Sequence, residues 1–189
     1  MINTQGVSVM KIKDMCLYAL FAVFIAVGAF IKVPVSIVSI TFQTLFVIMA
    51  SLILRQKAVY SVLLYVGMGL LGLPVFTSGG GISYVLIPSF GYLIGFVISS
   101  WFVGRYHNTD HVSLFLRSCI GLLIIYVIGM LYFILIQYVY YGQLFSISWI
   151  FTSLCLVYLP GDLLSIITAI VIYKRIEYSL PQYIMQSNT

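Results

Sequence analysis

The chain has 189 residues, of which 62% are hydrophobic and 7% are charged, and its formal net charge is +5. A soluble domain of this length needs far more charged residues to cover its surface, so the composition excludes a soluble globular protein and indicates an integral membrane protein. The basic residues are scattered singly at the ends of apolar segments, which argues against a nucleic-acid partner.

The apolar runs are long enough to cross about 30 Å of hydrocarbon as helices, and they lack the short alternating segments of an outer-membrane barrel. We therefore predict an all-α integral membrane protein with six transmembrane helices. Residues 1–11 are expected to form a disordered cytoplasmic N-terminus, residues 12–178 the membrane domain and residues 179–189 a cytoplasmic tail. The first apolar run has no Ala-x-Ala cleavage pattern, so it is predicted to be a spanning helix rather than a removable signal peptide.

The boundaries of the six helices are set by polar residues, proline and glycine. The predicted helices run from about Lys13 to Val33, Thr41 to Leu54, Ala58 to Leu73, Tyr84 to Phe102, Ser113 to Tyr140 and Ser148 to Tyr173. Pro34, Pro74 and Gly142 are expected to end the first, third and fifth helices, because proline and glycine disfavour the helix interior. Residues 35–40 are then an outer connection between the first two helices.

The distribution of basic residues predicts the orientation of the chain. The side of the bundle that holds both termini carries Lys11, Lys13, Arg55, Lys57, Arg105, Lys174 and Arg175, with Arg117 close to it. Lys32 falls on the opposite side. Because positive residues in short loops stay in the cytoplasm, both termini are predicted to be cytoplasmic, and the loop 74–83 is predicted to face outward.

A segment rich in glycine, Thr77-Ser78-Gly79-Gly80-Gly81, follows the third helix. It is either a loop that approaches a ligand closely, because it carries little side-chain bulk, or an ordinary flexible outer turn. The fourth helix contains Pro88 near its start, so we expect its outer end to be irregular and to line the same cavity as the loop.

Two polar residues within the apolar segments are candidates for ligand contacts. Asp162 follows Pro160-Gly161 near the middle of the last segment, where a carboxylate is costly unless it faces protein, water or a ligand. A break of the helix at Pro160-Gly161 would free backbone groups beside it, and an acceptor there suits a ligand with N–H donors such as a cyclic urea. A structural hydrogen-bonding role is the alternative. Gln43, at the start of the second helix, likewise needs a polar partner.

The sequence lacks the patterns of catalysis and of metal binding. The cysteines lie far apart, and His107, Asp110 and His111 have no further ligand in sequence, which is typical of a solvated loop. No Lys-Ser or Lys-Thr follows the glycine run, and HExxH and Gly-x-Ser-x-Gly are absent. We therefore predict a binding subunit without metal or cofactor that depends on other proteins for energy. A small membrane enzyme or accessory protein is the competing hypothesis.

Four segments taken together resemble the BioY family, the biotin-specific S components of energy-coupling factor (ECF) transporters. They are Gly69-Leu70-Leu71-Gly72-Leu73-Pro74-Val75-Phe76 with the glycine loop after it, Pro88 to Phe96, Leu159-Pro160-Gly161-Asp162, and Phe42-Gln43-Thr44. The resemblance covers nearly the whole chain. It implies an S component in the cell membrane that captures biotin outside and joins a transmembrane T component and two ATPases, which power its release inside.

The resemblance also implies which residues form the site. Asp162 matches the ligand-contacting aspartate of the family's Pro-Gly-Asp-x-x-Lys motif, and Gly79 to Gly81 match its binding loop. The small residues Ala22 and Ala26, one turn apart on the first helix, match the Ala-xxx-Ala motif that docks onto the T component, although internal packing explains them equally well. The predicted substrate-binding residues are Asp162, Gly79, Gly80, Gly81, Ser78, Gln43, Tyr92 and Ser165.

Two positions depart from the family pattern. Ser165 stands where the lysine of the motif is expected, and Leu93 stands where some members carry an arginine. The carboxylate of biotin therefore has no evident cation among the buried residues. Either its tail reaches the outer water, or Lys32 supplies the charge, or the ligand is a related acid such as dethiobiotin or lipoate.

Overall fold

The computed structural model describes residues 12–34 and 39–179 of the chain, which form a bundle of apolar helices. These helices are α1 (Ile12–Phe30), α2 (Gln43–Leu54), α3 (Ala58–Leu70), α4 (Phe90–Arg105), α5 (His111–Val139), α6 (Ile147–Phe151) and α7 (Leu159–Ser179). Short 3-10 turns at Arg55–Lys57 and Ile82–Leu86 and a π-helical turn at Thr152–Leu156 connect some of them. The predicted disordered N-terminus, residues 35–38 of the predicted outer connection and the tail beyond residue 179 lie outside the described residues.

The chain is not purely helical, because two strands of three residues each follow α1. Strand β1 (Lys32–Pro34) pairs antiparallel with β2 (Ser39–Thr41), and Lys32 lies directly opposite Thr41. Because the chain enters this hairpin, α1 ends at Phe30 rather than at the predicted Val33. The prediction of an all-α protein is correct apart from the hairpin.

Four described helical stretches are long and apolar enough to cross a membrane, namely Ile12–Phe30, Gln43–Leu70, His111–Val139 and Ile147–Ser179, while Phe90–Arg105 is a shorter apolar helix. The second stretch is not a straight rod. Gln43 Nε2 donates to Tyr65 Oη at 2.8 Å, whereas one continuous helix would place these residues about 33 Å apart. The chain therefore reverses at Arg55–Lys57, and α2 and α3 run antiparallel.

One end of the bundle collects most of the described basic residues. Lys57 lies 3.8 Å from the carboxylate of Asp14 near the start of α1, and Arg55 Nη2 donates to the carbonyl of His107 at 3.4 Å. A Cβ on Gly104 would lie 2.3 Å from the backbone of Arg55, so the end of α4 packs directly on this turn. The end of α1, the start of α2 and the end of α3 are at the opposite end of the bundle, because the helices alternate in direction.

Helices α4 and α5 pack closely against each other, and small residues make this possible. A Cβ on Gly95 would lie 2.9 Å from the Cα of Ile125, and one on Gly91 would lie 2.3 Å from the Cβ of Tyr132. Gly91, Gly95 and Ser99 are spaced by four residues, so they line one face of α4 and allow the two backbones to approach. This packing role of Gly91 and Gly95 was not predicted from the sequence.

Helix α3 ends at Leu70, earlier than the predicted Leu73, and Pro74 does not terminate it. Gly72 does so instead, with a φ of 104° in the left-handed region. The N–H of Leu73 donates to the carbonyl of Met68 at 3.2 Å, which is the long hydrogen bond of a Schellman motif. The turn at the end of α3 is therefore stabilised by its own hydrogen bonds.

Helix α4 begins at Phe90 rather than at the predicted Tyr84. Ile82–Leu86 forms a 3-10 turn, and Ile87 then has an extended backbone with ψ of 130°. The following Pro88 explains this conformation, because proline disfavours the helical region for the residue before it. The predicted irregular outer end of this segment is confirmed. Helices α2 and α5 agree with their predicted limits to within two residues.

The last apolar segment is interrupted before Pro160 and not at Pro160-Gly161 as predicted. Its irregular part begins with the π-helical turn Thr152–Leu156, and α7 starts at Leu159. Pro160 and Gly161 lie in the first turn of α7, where proline is tolerated because the N–H groups there have no intrahelical acceptor. The interruption therefore falls on the N-terminal side of the proline.

Candidate functional site

A cavity lies among α2, α3, α4, α5 and α7 and opens toward the end of the bundle opposite the basic turn. Its empty volume is about 620 Å³, which includes open solvent at the mouth. Its polar lining residues are Thr41, Gln43, Thr44, Tyr65, Thr77, Tyr84, Ser89, Tyr92, Tyr126, Tyr158 and Asp162, and its apolar ones are Leu93, Phe96 and Ile125. Aromatic walls with several hydroxyl groups and one carboxylate suit a polar organic molecule.

Asp162 lies in the first turn of α7 and is 8% exposed. Its Oδ2 accepts a hydrogen bond of 2.5 Å from the hydroxyl of Tyr126 on α5, and the side chain of Thr44 on α2 lies near the carboxyl group. A carboxylate has about four acceptor positions. Asp162 therefore retains acceptor capacity for N–H donors of a bound molecule.

The irregular backbone before α7 positions this carboxylate and the neighbouring Tyr92. The N–H of Asp162 donates to the carbonyl of Tyr158 at 3.0 Å, and the N–H of Tyr158 donates to the carbonyl of Cys155 at 3.1 Å. In the π-helical turn, the carbonyl of Leu154 accepts a 3.0 Å hydrogen bond from the hydroxyl of Tyr92 on α4. The ring of Tyr92 is thereby fixed against the cavity.

Gln43 has the polar partner that the sequence analysis required. Its side chain is 4% exposed, its Nε2 donates to Tyr65 Oη at 2.8 Å, and its Oε1 accepts from Thr41 Oγ1 at 3.1 Å. The hydroxyl of Tyr65 in turn donates to the carbonyl of Val75 at 3.2 Å. This chain of hydrogen bonds connects the start of α2, the middle of α3 and the loop after α3.

The loop after α3 contributes one residue, Thr77, to the cavity lining. Thr77 Oγ1 lies 2.8 Å from Tyr84 Oη, and Tyr84 Oη lies 3.4 Å from Ser89 Oγ. These hydroxyl groups form a polar edge at the mouth of the cavity. The prediction that the loop and the outer end of the fourth segment line one cavity is confirmed by Thr77, Tyr84 and Ser89.

Some predicted site residues lie outside this lining, namely Ser78, Gly79, Gly80, Gly81 and Ser165. The glycine run 79–81 shapes the loop itself: the N–H of Phe76 donates to the carbonyl of Gly79 at 2.9 Å, and a Cβ on Gly80 would lie 2.1 Å from the carbonyl oxygen of Leu73. Gly79 has a φ of 115°, which favours glycine on conformational grounds alone. Ser165 is buried one turn after Asp162.

Ala22 and Ala26 are buried inside the bundle rather than displayed on its surface. They are 0% and 7% exposed and belong to the core cluster that contains Val62 and Tyr65 of α3. A separate protein cannot contact Ala22 in this conformation. The structure thus favours internal packing, the alternative to the docking role that the resemblance implies.

Several hydroxyl residues of the cavity were missed from the sequence, namely Thr44, Tyr65, Thr77, Tyr84, Ser89, Tyr126 and Tyr158. The available signal was the presence of hydroxyl groups within apolar runs, since a buried hydroxyl needs a hydrogen-bond partner. Within the described residues, no group of three or more His, Cys, Asp or Glu side chains could hold a metal ion.

Comparison with known proteins places this architecture in a family. The model of the BioY family matches residues 2–182 of the chain. This chain belongs to the BioY family. The probable biotin transporter BioY of Lysinibacillus sphaericus is 44% identical over 124 residues, which are 63% of this chain and 63% of that protein. The match therefore spans less than two thirds of that relative's length.

Other BioY proteins match over different shares of their length. The probable biotin transporter BioY of Pyrococcus horikoshii is 35% identical over 170 residues, which are 89% of this chain and 98% of that protein. The biotin transporter BioY of Thermotoga maritima is 36% identical over 125 residues, 64% of this chain and 73% of that protein.

A solved structure shows the same fold. The S-component for biotin from an ECF-type ABC transporter superposes with a TM-score of 0.73 at 25% identity, over 94% of this chain and 95% of that one. The bundle described above is therefore an S-component fold. Together with its long apolar helices, membership of the BioY family makes the chain a multi-pass protein of the cell membrane.

Proposed function

We propose that this chain is the substrate-binding S component of an ECF-type vitamin transporter, which binds biotin from outside and delivers it together with a T component and two ATPases. The observation that carries the proposal is Asp162 on the wall of a cavity that opens away from the basic end of a BioY-family chain. The matched relatives are named biotin transporters. The chain is not an enzyme, since it belongs to a family of transport proteins.

The chemistry of the cavity suits the ureido ring of biotin. The two N–H groups of this ring are donors, and Asp162 offers a buried acceptor that is held in place by Tyr126 and Thr44. A hydrogen bond in a water-poor pocket is electrostatically stronger than one in water. The rings of Tyr92 and Phe96 supply apolar surface for the carbon and sulfur atoms of the ligand.

The proposed orientation places six helical spans in the membrane with both termini in the cytoplasm. Arg55, Lys57 and their basic neighbours then lie on the cytoplasmic side, in keeping with the positive-inside rule. The cavity mouth, with Lys32 and Thr77, then faces outward. This arrangement allows a vitamin to enter from outside without crossing the bundle.

The related acids dethiobiotin and lipoate are the alternative ligands. Among the described residues that line the cavity there is no lysine, arginine or histidine, so these residues do not select the carboxylate that all three acids share. Dethiobiotin retains the cyclic urea and its N–H donors, whereas lipoate lacks them. Contact with Asp162 therefore favours biotin and dethiobiotin.

A thermal-shift experiment on the purified, detergent-solubilised chain distinguishes these ligands. We expect biotin to raise the melting temperature most, dethiobiotin less and lipoate not at all, because Asp162 needs N–H donors. Each acid should be compared at the same concentration, with valerate as a control for a simple carboxylate. Stabilisation by lipoate without stabilisation by biotin would overturn the proposed substrate.

A further inference from the structure

A bound biotin presents a chemical group that the cavity lining does not match. Its valeryl side chain ends in a carboxylate, yet the residues that line the cavity include no cation, and Asp162 is itself an acid. Burying a carboxylate without a partner is costly. The acid end of the ligand therefore has to lie at the mouth of the cavity, where water or a cation is within reach.

Lys32 is attached to this mouth in two independent ways. In the hairpin, its Cα lies directly opposite that of Thr41, and directly opposed residues of an antiparallel pair project their side chains on the same face. Thr41 lines the cavity. The ammonium group of Lys32 also donates a hydrogen bond to the carbonyl of Thr77, a second lining residue.

Lys32 is also isolated from the other cations of the chain. Among the described residues, the remaining lysines and arginines lie toward the opposite end of the bundle, namely Lys13, Arg55, Lys57, Arg105, Arg117, Lys174 and Arg175. An ammonium group has three N–H donors, so the hydrogen bond to Thr77 leaves donors for a ligand. The positive charge nearest to the cavity mouth is therefore that of Lys32.

We propose that Lys32 forms a carboxylate subsite at the mouth of the cavity, assisted by the hydroxyl group of Thr77. This subsite holds the acid end of the ligand while its ring contacts Asp162. The proposal rests on the proposed function, since it assumes a ligand with a ring inside and a carboxylate outside. It also explains how the chain binds an acid with Ser165 in place of a buried cation.

Comparing biotin with biotinamide, its uncharged amide, tests the subsite. Isothermal titration of the purified chain should show that the wild type binds biotin more tightly than biotinamide. Lys32→Gln should weaken biotin binding by about three- to tenfold, because an ion pair at an exposed site contributes modestly. The same variant should bind biotinamide as the wild type does, which shows that the cavity is intact.

Two further variants sharpen the outcome. Lys32→Arg keeps the charge and should retain the preference for biotin, whereas Lys57→Gln removes a lysine at the other end and should change neither affinity. A Lys32→Gln variant that still prefers biotin as strongly as the wild type overturns the subsite but leaves biotin binding intact. A wild-type chain that binds neither compound overturns the proposed function and the subsite with it.

Discussion

Asp162 connects three helices through its carboxyl group, and this makes its role measurable. Tyr126 on α5 and Thr44 on α2 both contact it, although it belongs to α7. A purely structural acid would use its acceptor capacity within the protein. A binding acid needs to offer part of that capacity to the cavity, and Asp162 is among the lining residues.

Replacing Asp162 by Ala should weaken biotin binding by about ten- to a hundredfold, since the N–H groups of the ligand would lose their acceptor at about 1–3 kcal/mol. Asp162→Asn should be intermediate, because it keeps an acceptor but adds a donor that faces those of the ligand. Titration calorimetry gives the affinities, and a melting curve without ligand gives the stability.

A nearby variant on the same helix provides the control for Asp162. Thr168 is exposed on α7, and its hydroxyl donates to the carbonyl of Leu164 in the same helix, so Thr168→Ala should leave both measurements unchanged. Normal affinity combined with a lowered melting temperature in Asp162→Ala would instead assign Asp162 a structural role.

At the scale of the element, α1 shows what a motif of small residues predicts about helix contacts and what it does not. The spacing of Ala22 and Ala26 correctly indicates a close contact but does not say with what. In the structure the contact is internal, and the outward face of α1 carries Ala19 and Val23 instead. Helix packing of this kind depends on the tertiary arrangement, which a local spacing does not encode.

Substituting Trp for Ala22 should therefore destabilise the isolated chain, because a fully buried alanine has no room for an indole ring and overpacking costs about 1–3 kcal/mol or more. Ala19→Trp, on the exposed face of the same helix, should be tolerated. The melting temperatures of the two purified variants provide the measurement. An Ala22→Trp chain that is as stable as the wild type but no longer co-purifies with a T component would support the docking role instead.

Other elements were predictable to different degrees. The apolar runs correctly located the helices. The predicted ends of α2 and α5 lie close to the observed ends, because these boundaries coincide with polar residues. The observed end of α3 and the interruption before α7 differ from their predicted positions. Gly72 and the π-helical turn determine them through backbone hydrogen bonds, which residue type alone does not reveal. Of the predicted site residues, Asp162, Gln43 and Tyr92 line the cavity, whereas hydroxyl groups such as that of Tyr126 could be placed there only from the fold.

At the scale of the whole molecule, the distribution of basic residues distinguishes the two ends of the helix bundle. The ion pair between Lys57 and Asp14 lies at one end, and the bond between Lys32 and Thr77 lies at the other. In the proposed orientation, an anion that approaches from outside meets Lys32 at the cavity mouth. The basic end would attract cytoplasmic anionic surfaces instead.

Thiol labelling in whole cells tests the proposed orientation. Cys16, Cys119 and Cys155 are free cysteines and are first replaced by serine. In that background, Ser78→Cys in the glycine loop should react with a membrane-impermeant maleimide in intact cells, whereas Gln56→Cys in the basic turn should react only after permeabilisation. The reverse pattern of labelling would place the cavity mouth in the cytoplasm.

The reversal at Arg55–Lys57 has a consequence for the membrane around the protein. With 12 and 13 residues, α2 and α3 are only about 18–20 Å long, whereas hydrocarbon is about 30 Å thick. In the proposed orientation, the hairpin and the glycine loop then occupy the outer part of the membrane layer on this side. Non-helical backbone at such depth has to satisfy its own polar groups, and the β1–β2 pairing and the bonds between Phe76 and Gly79 do so. In that orientation, the proposed ligand would enter between loops rather than between helices.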